Sequence, residues 1–290
     1  MGRTHWGVRA CTLTGGLLAL ALGGCSDSTT PTSPSSIPAA EASDIGAAEG
    51  DEVDQAVSAL TTPTELGPLA RTTTGCASVE NPTDTDGDLA PDDATYTFAL
   101  PACSFTGFRG GTLEVTGTIT LTDPTPGAAD LAIMATLADF QFKFTSPDMT
   151  RTFTAVRNGT RTLTGNAQGA ALSNQITVVR SAPGRADATV IHNLLLAFTP
   201  AAGQSLAFGQ PLPDGTLTRT GTFTWTRGGV SRTFTVTTVV PLVWDSSCTT
   251  DRKITAGEVH ETLSDGSYIK TVWTGCGVDP TRSFVPEGQS

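Results

Sequence analysis

The sequence predicts an all-β protein, an antiparallel β-sandwich or an open, curled meander sheet of about ten to twelve strands, preceded by one short helix. Three observations predict it. Thr occurs 51 times in 290 residues, and a residue stiff at its β-carbon favours strands. Apolar residues alternate with Thr over long stretches, and Gly-containing hairpin signals interrupt them. No helical period separates those stretches, which argues against parallel crossovers. The same composition excludes a partner class. The formal charge is −11, and 3 Lys stand beside 14 Arg, so there is no electrostatic footprint for nucleic acid. No apolar run suits a polytopic helical membrane protein.

Residues 1–24 carry Arg3 and Arg9 ahead of a short apolar core that ends in Leu22-Gly23-Gly24-Cys25. The stretch is too short and too Gly-broken to span a bilayer, so it is a targeting segment outside the fold. The ending LGGC resembles the lipobox of bacterial lipoproteins. The resemblance implies cleavage before Cys25, diacylglyceryl attachment to its sulfur and acylation of the new amino terminus. Ser26 rather than Asp follows, which in that family favours the outer membrane over inner-membrane retention. The expected membrane partner is thus reached through lipidated Cys25, with the body on the periplasmic or the surface-exposed side. Several acyl chains at about 0.8 kcal/mol per buried CH₂ make such an anchor stable.

Residues 25–50 begin with a Ser/Thr/Pro run that has almost nothing to bury, and they are expected to form a disordered tether. Within 51–75, Val53, Ala56, Val57 and Leu60 recur at helical spacing. Asp51 stands as N-cap and Thr61-Thr62-Pro63 as stop, which gives a short helix followed by a linker. Charge divides the chain. Residues 26–95 hold 14 acids and one base, whereas 96–290 hold 14 acids and 14 bases. That partition reads as a solvated acidic stalk on a neutral β domain over 76–290.

In the β domain, residues 112–122 place Leu113, Val115, Ile119 and Leu121 on one face. Residues 216–227 set Leu217, Phe223 and Trp225 against six Thr. Gly228-Gly229, Asn158-Gly159 and Asp265-Gly266 read as hairpin turns. In 131–144 the apolar phase switches between Leu137 and Phe140, which a β-bulge near Asp139 would explain, with burial on both faces as the alternative. A transmembrane barrel would alternate too, but lipidation, disulfides and a polar C-terminus count against it.

Four cysteines remain in the exported chain, and an even number points to disulfides. Proximity favours Cys76–Cys103 and Cys248–Cys276, each adding roughly 3.5 kcal/mol on the loop-entropy model. Between the first two, Asp84, Asp86, Asp88 and Asp92 alternate on a Gly-containing loop, a pattern that can converge hard oxygens on a structural Ca²⁺. The segment resembles a single thrombospondin type 3 calcium repeat, with Gly87 and Pro91 at turn positions, Leu89 in place of the usual second Gly, and Thr95 where a final acid would stand. A metal-free acidic turn is the other reading. No further cofactor is expected.

Catalytic groups are sparse. No GxSxG elbow, HExxH helix or phosphate-cradling loop occurs. His192 lies in an apolar strand and reads as a core or edge histidine. Glu258 and His260 share one strand face, where they could imitate a general-base pair, although a solvated charged face accounts for them as well. The expectation is a non-catalytic binding or structural module. A carrier of a lipid or other hydrophobic ligand is the first alternative, and a hydrolase of envelope polymers is the second. The Thr faces could present a regular surface to a glycan, but Thr is also the default residue of an exposed strand face.

Overall fold

The computed structural model describes residues 37–61, 76–87, 90–106, 111–128, 130–208, 210–250 and 253–288. Cys25 and Asp88 lie outside them. Helix α1 (Ala39–Thr61) comes first. Thirteen strands follow: β1 (Ser78–Thr83), β2 (Asp93–Phe98), β3 (Ser104–Thr106), β4 (Thr112–Thr122), β5 (Leu131–Thr145), β6 (Thr152–Asn166), β7 (Gly169–Ser181), β8 (Ala188–Pro200), β9 (Gly215–Arg227), β10 (Val230–Trp244), β11 (Ile254–Thr262), β12 (Tyr268–Trp273) and β13 (Thr281–Val285). They make one antiparallel sheet in the order β1-β2-β4 and onward to β13, with β3 also paired to β4. The predicted class holds, as a single meander sheet and not a sandwich.

α1 is longer than the sequence reading placed it. It starts at Ala39 and not beside Asp51, so Ala39–Gly50 is helix and not tether. Pro38 supplies the first helical carbonyl, which accepts the Ala42 N–H at 2.9 Å. The buried stripe Ile45, Ala48, Glu49, Glu52, Val53, Ala56, Val57 and Leu60 is unbroken at i, i+3 and i+4. Two of its positions are Glu, and Gly46 and Gly50 interrupt the apolar signal, which hides the first half of the helix. Six acids in 23 residues exclude a membrane span, and among the described residues no helix is long and apolar enough to cross one.

The sheet curls around α1. Side chains from β6 and β13 both reach this helix, yet in a flat sheet seven strand spacings would separate them by about 33 Å. A helix with its side chains is only about 10–12 Å across. Asn158-Gly159 is no hairpin turn. β6 runs through it in unbroken register with β7, and Gly159 takes a φ of +130° there. Gly221 in β9 has a similar backbone. Its φ is +126°, and an added Cβ would lie 2.2 Å from the Asn193 carbonyl oxygen of β8. Gly221→Ala is therefore expected to destabilise the domain by about 2–3 kcal/mol. Gly229→Ala, in the open β9–β10 turn with nothing within 4 Å, is the control and should cost about 1 kcal/mol. Equal urea midpoints for the two variants would refute this account of Gly221.

The bulge at Asp139 is present. Its φ is +47°, and the β5–β6 register shifts between Leu137 and Phe140. Gly228-Gly229 and Asp265-Gly266 sit in turns. Both disulfides pair as proximity suggests, Cys76–Cys103 and Cys248–Cys276, with Cα separations of 5.0 and 5.8 Å.

Candidate functional site

The β6–β10 strands contain no acidic residue, and their six charged residues are all arginines: Arg157, Arg161, Arg180, Arg219, Arg227 and Arg232. Strand parity turns every one of them to the inner face, the face that also carries Leu172, His192, Phe223 and Phe234. The outer face of the same five strands is uncharged and rich in Thr. This is the reverse of an ordinary half-buried sheet, which keeps its charges on the solvent side.

α1 answers that face with carboxylates. Near its start Glu41 accepts from Arg232 at 2.8 Å, and Asp44 accepts from Arg185 at 2.7 Å and Arg227 at 2.6 Å. Burial would raise the Asp44 carboxyl, but Arg227 and Arg185 outweigh it and hold it below the usual range. These pairs line an open groove of about 490 Å³ at the mouth of the curl, bounded also by Pro38 and Val230.

Deeper in, the pairs are out of water. Arg219 donates to Glu49, and Arg161 donates to Glu52. Asn174 stitches the second pair together. Its Nδ2 donates to Glu52 at 2.9 Å, and its Oδ1 accepts from Arg161 Nε at 3.1 Å. Arg219 also faces Glu261 of β11 at 3.4 Å. Glu49, Glu52 and Glu261 are 2–3% exposed, and Arg219 is 5% exposed. Burial alone would push Glu52 up, but Arg161, His192, Arg157 and the Asn174 hydrogen bond hold its carboxyl at about 2. At Glu261 burial prevails, with Glu49 adding to it and Arg219 and Arg282 opposing, so that its carboxyl rises to about 7.

His192 is a core histidine, as its strand suggests, stacked on Phe223 at 6.2 Å. Its Nδ1 lies 3.4 Å from Glu49 Oε1, within ion-pair range but without a hydrogen bond. Both atoms, like Glu261 Oε2, are buried and lack a hydrogen-bond partner. Beside Glu52, Val53, Leu172 and Arg219 the cavity between helix and sheet is about 10 Å³, room for one water at most, whereas at the Asp44 end a cavity of about 210 Å³ is lined by Phe153, Arg180 and Trp225.

The predicted site residues lie elsewhere. Glu258 and His260 do share one face, half-buried and joined at 2.6 Å, with Lys270 Nζ 2.8 Å from Glu258 and Tyr268 stacked on the imidazole. Lys270 leads His260 in holding the Glu258 carboxyl below its usual range, against a smaller effect of burial. This is a cross-strand ladder on the outer face, away from the arginine-lined interior. In the acidic loop Asp84 accepts from the Gly87 N–H at 2.7 Å, Asp86 from Gly127 at 2.8 Å, and Asp92 from the Thr85 hydroxyl at 2.5 Å. Asp84 thus closes a tight turn, Asp92 spans the loop, and Asp86 ties the loop to the turn at Gly127. Among the described residues, no three His, Cys, Asp or Glu side chains are grouped to hold a metal.

The sequence reading missed the buried seam. Its one available signal was the parity of the arginines, all in phase with the apolar residues of their strands. Compared with family models, curated proteins and solved structures, the chain finds no match in any of the three.

Proposed function

We propose that this chain is a lipid-anchored protein of the cell envelope, held at the outer membrane through Cys25, whose β domain is a non-catalytic binding or structural module. The observation that carries the second half is the occupancy of the concave face. That face is where a curled sheet would house a substrate, and here its Leu172–Arg219 stretch is packed against the chain's own helix, with a cavity of about 10 Å³ left there. The outer-face pair Glu258–His260 is engaged by Lys270 and Tyr268 in a ladder, an arrangement that serves a structural role. The lipobox-like LGGC and the Ser/Thr/Pro run after it support the first half.

Cell fractionation and intact mass of the amino-terminal peptide test the anchor. The wild-type chain is expected in the outer-membrane fraction, starting at Cys25 with acyl chains attached, and Cys25→Ser in the soluble envelope fraction. An unmodified Cys25 in the wild-type chain would refute the anchor.

A further inference from the structure

We propose that the inner face of the sheet is a binding groove for an anionic amphiphile, an acyl chain ending in a carboxylate or phosphate, and that α1 is the resident stand-in which such a ligand displaces. The proposal deepens the binding-module reading and rests on it.

The chemistry of the groove is set by the sheet and not by the helix. Three guanidiniums, those of Arg157, Arg161 and Arg219, are buried on it, against one carboxylate, Glu261. The apolar residues around them include Leu172, Leu194, Leu196 and Phe223. Stability alone does not call for this arrangement, because well-packed apolar residues generally serve a core as well as buried ion pairs do. What it complements is an object that joins an apolar body to anionic charge. α1 is such an object, presenting Ile45, Val53, Val57 and Leu60 together with Glu49 and Glu52. A fatty acid or a lysophospholipid is another.

The seat of α1 is also an imperfect one. Glu49 Oε1, His192 Nδ1 and Glu261 Oε2 are buried without hydrogen bonds. Gly46 and Gly50 weaken the helix itself and leave a notch crossed by Arg282 of β13. β13 is an edge strand of a sheet that does not close, so the groove has a side at which the helix can leave. An occupant whose carboxylate reached Arg161 or Arg219 would supply one of the two charges that Glu49 and Glu52 supply now, and a phosphate monoester would supply nearly both.

The test uses the full mature chain and three probes below their aggregation concentrations: palmitate, palmitoyl lysophosphatidate and the uncharged hexadecanol. Glu49→Gln combined with Glu52→Gln weakens the stand-in and is expected to tighten palmitate binding at least tenfold over wild type. Adding Arg161→Gln and Arg219→Gln should erase that gain. Hexadecanol should bind at least tenfold more weakly than palmitate, and the palmitate-to-lysophosphatidate ratio tells a free acid from a lipid headgroup. Hydrogen exchange on the wild-type chain keeps the test independent of variant folding. Saturating palmitate or lysophosphatidate should speed exchange across 39–61 at least tenfold. Unchanged exchange in α1, equal affinity for hexadecanol, or no gain in a folded double variant would each overturn the proposal. A chain acylated at Cys25 that binds no amphiphile sinks this proposal alone, whereas one that binds palmitate without acylation sinks the anchor alone.

Discussion

Arg219→Ala is expected to destabilise the β domain by about 3–5 kcal/mol, the range for removing one partner from a buried charge pair. The guanidinium serves two carboxylates on different elements, Glu49 of α1 and Glu261 of β11. Its loss leaves both in a site with almost no access to water, and their mutual repulsion is no longer offset. A compensated variant separates charge from packing. Arg219→Met with Glu49→Leu and Glu261→Leu removes the ions as well as the pair and should recover most of the loss. Urea unfolding with a fitted slope measures both. A loss under about 1 kcal/mol for Arg219→Ala would mean that water reaches the seam.

Stability should pass through a maximum near pH 4.5, with a limb on each side set by a different carboxylate. Glu52 is held at about 2 in the folded chain against an ordinary 4.5. Its contribution is therefore complete above pH 4.5 and is lost as pH falls towards 2. Glu261 is raised to about 7, so the folded chain binds the extra proton between 4.5 and 7. Its contribution is complete below 4.5 and is lost as pH rises through 7. Each limb amounts to at most about 3 kcal/mol. Melting temperatures from pH 2 to 8 read both. Glu261→Gln should flatten the neutral limb, and Glu52→Gln should reduce the acid one, to which Asp44 and Glu258 also contribute. A neutral limb that survives Glu261→Gln would place its origin elsewhere.

Most of the sheet was legible because alternation reports burial directly. The β4 and β9 faces, the Asp139 bulge and the two cysteine pairs follow from local spacing. Long-range complementarity was not legible. Asn158-Gly159 has the composition of a hairpin turn, and only the neighbouring strands decide that β6 continues through it. Reading a turn there also parted Arg157 from Arg161, which share one face of one strand. Glu41, Asp44, Glu49 and Glu52 looked like solvated stalk because the sequence separates them from their arginine partners by 109 to 191 residues. What the net charge recorded as two regions, one acidic and one neutral, is in part a single neutralised interior.

The acidic loop and the Glu258–His260 pair are groups that local spacing brings together and whose protein partners lie elsewhere in the chain. Asp86 reaches across to the turn at Gly127, and His260 rests on the Tyr268 ring. Spacing identifies groups that can meet, and the donors already present determine what they do.

The long separations within the seam also order the events of folding. Each strand from β4 to β13 pairs with the one before it, so the sheet can grow by successive hairpins of low closure entropy. α1 has nothing to dock on until β6 to β9 are in place, since Glu49 waits for an arginine 170 residues further along the chain. The first element to be made is the last to be seated. Until then the arginine-lined face stands open, and whatever anion it meets in that interval competes with the protein's own helix.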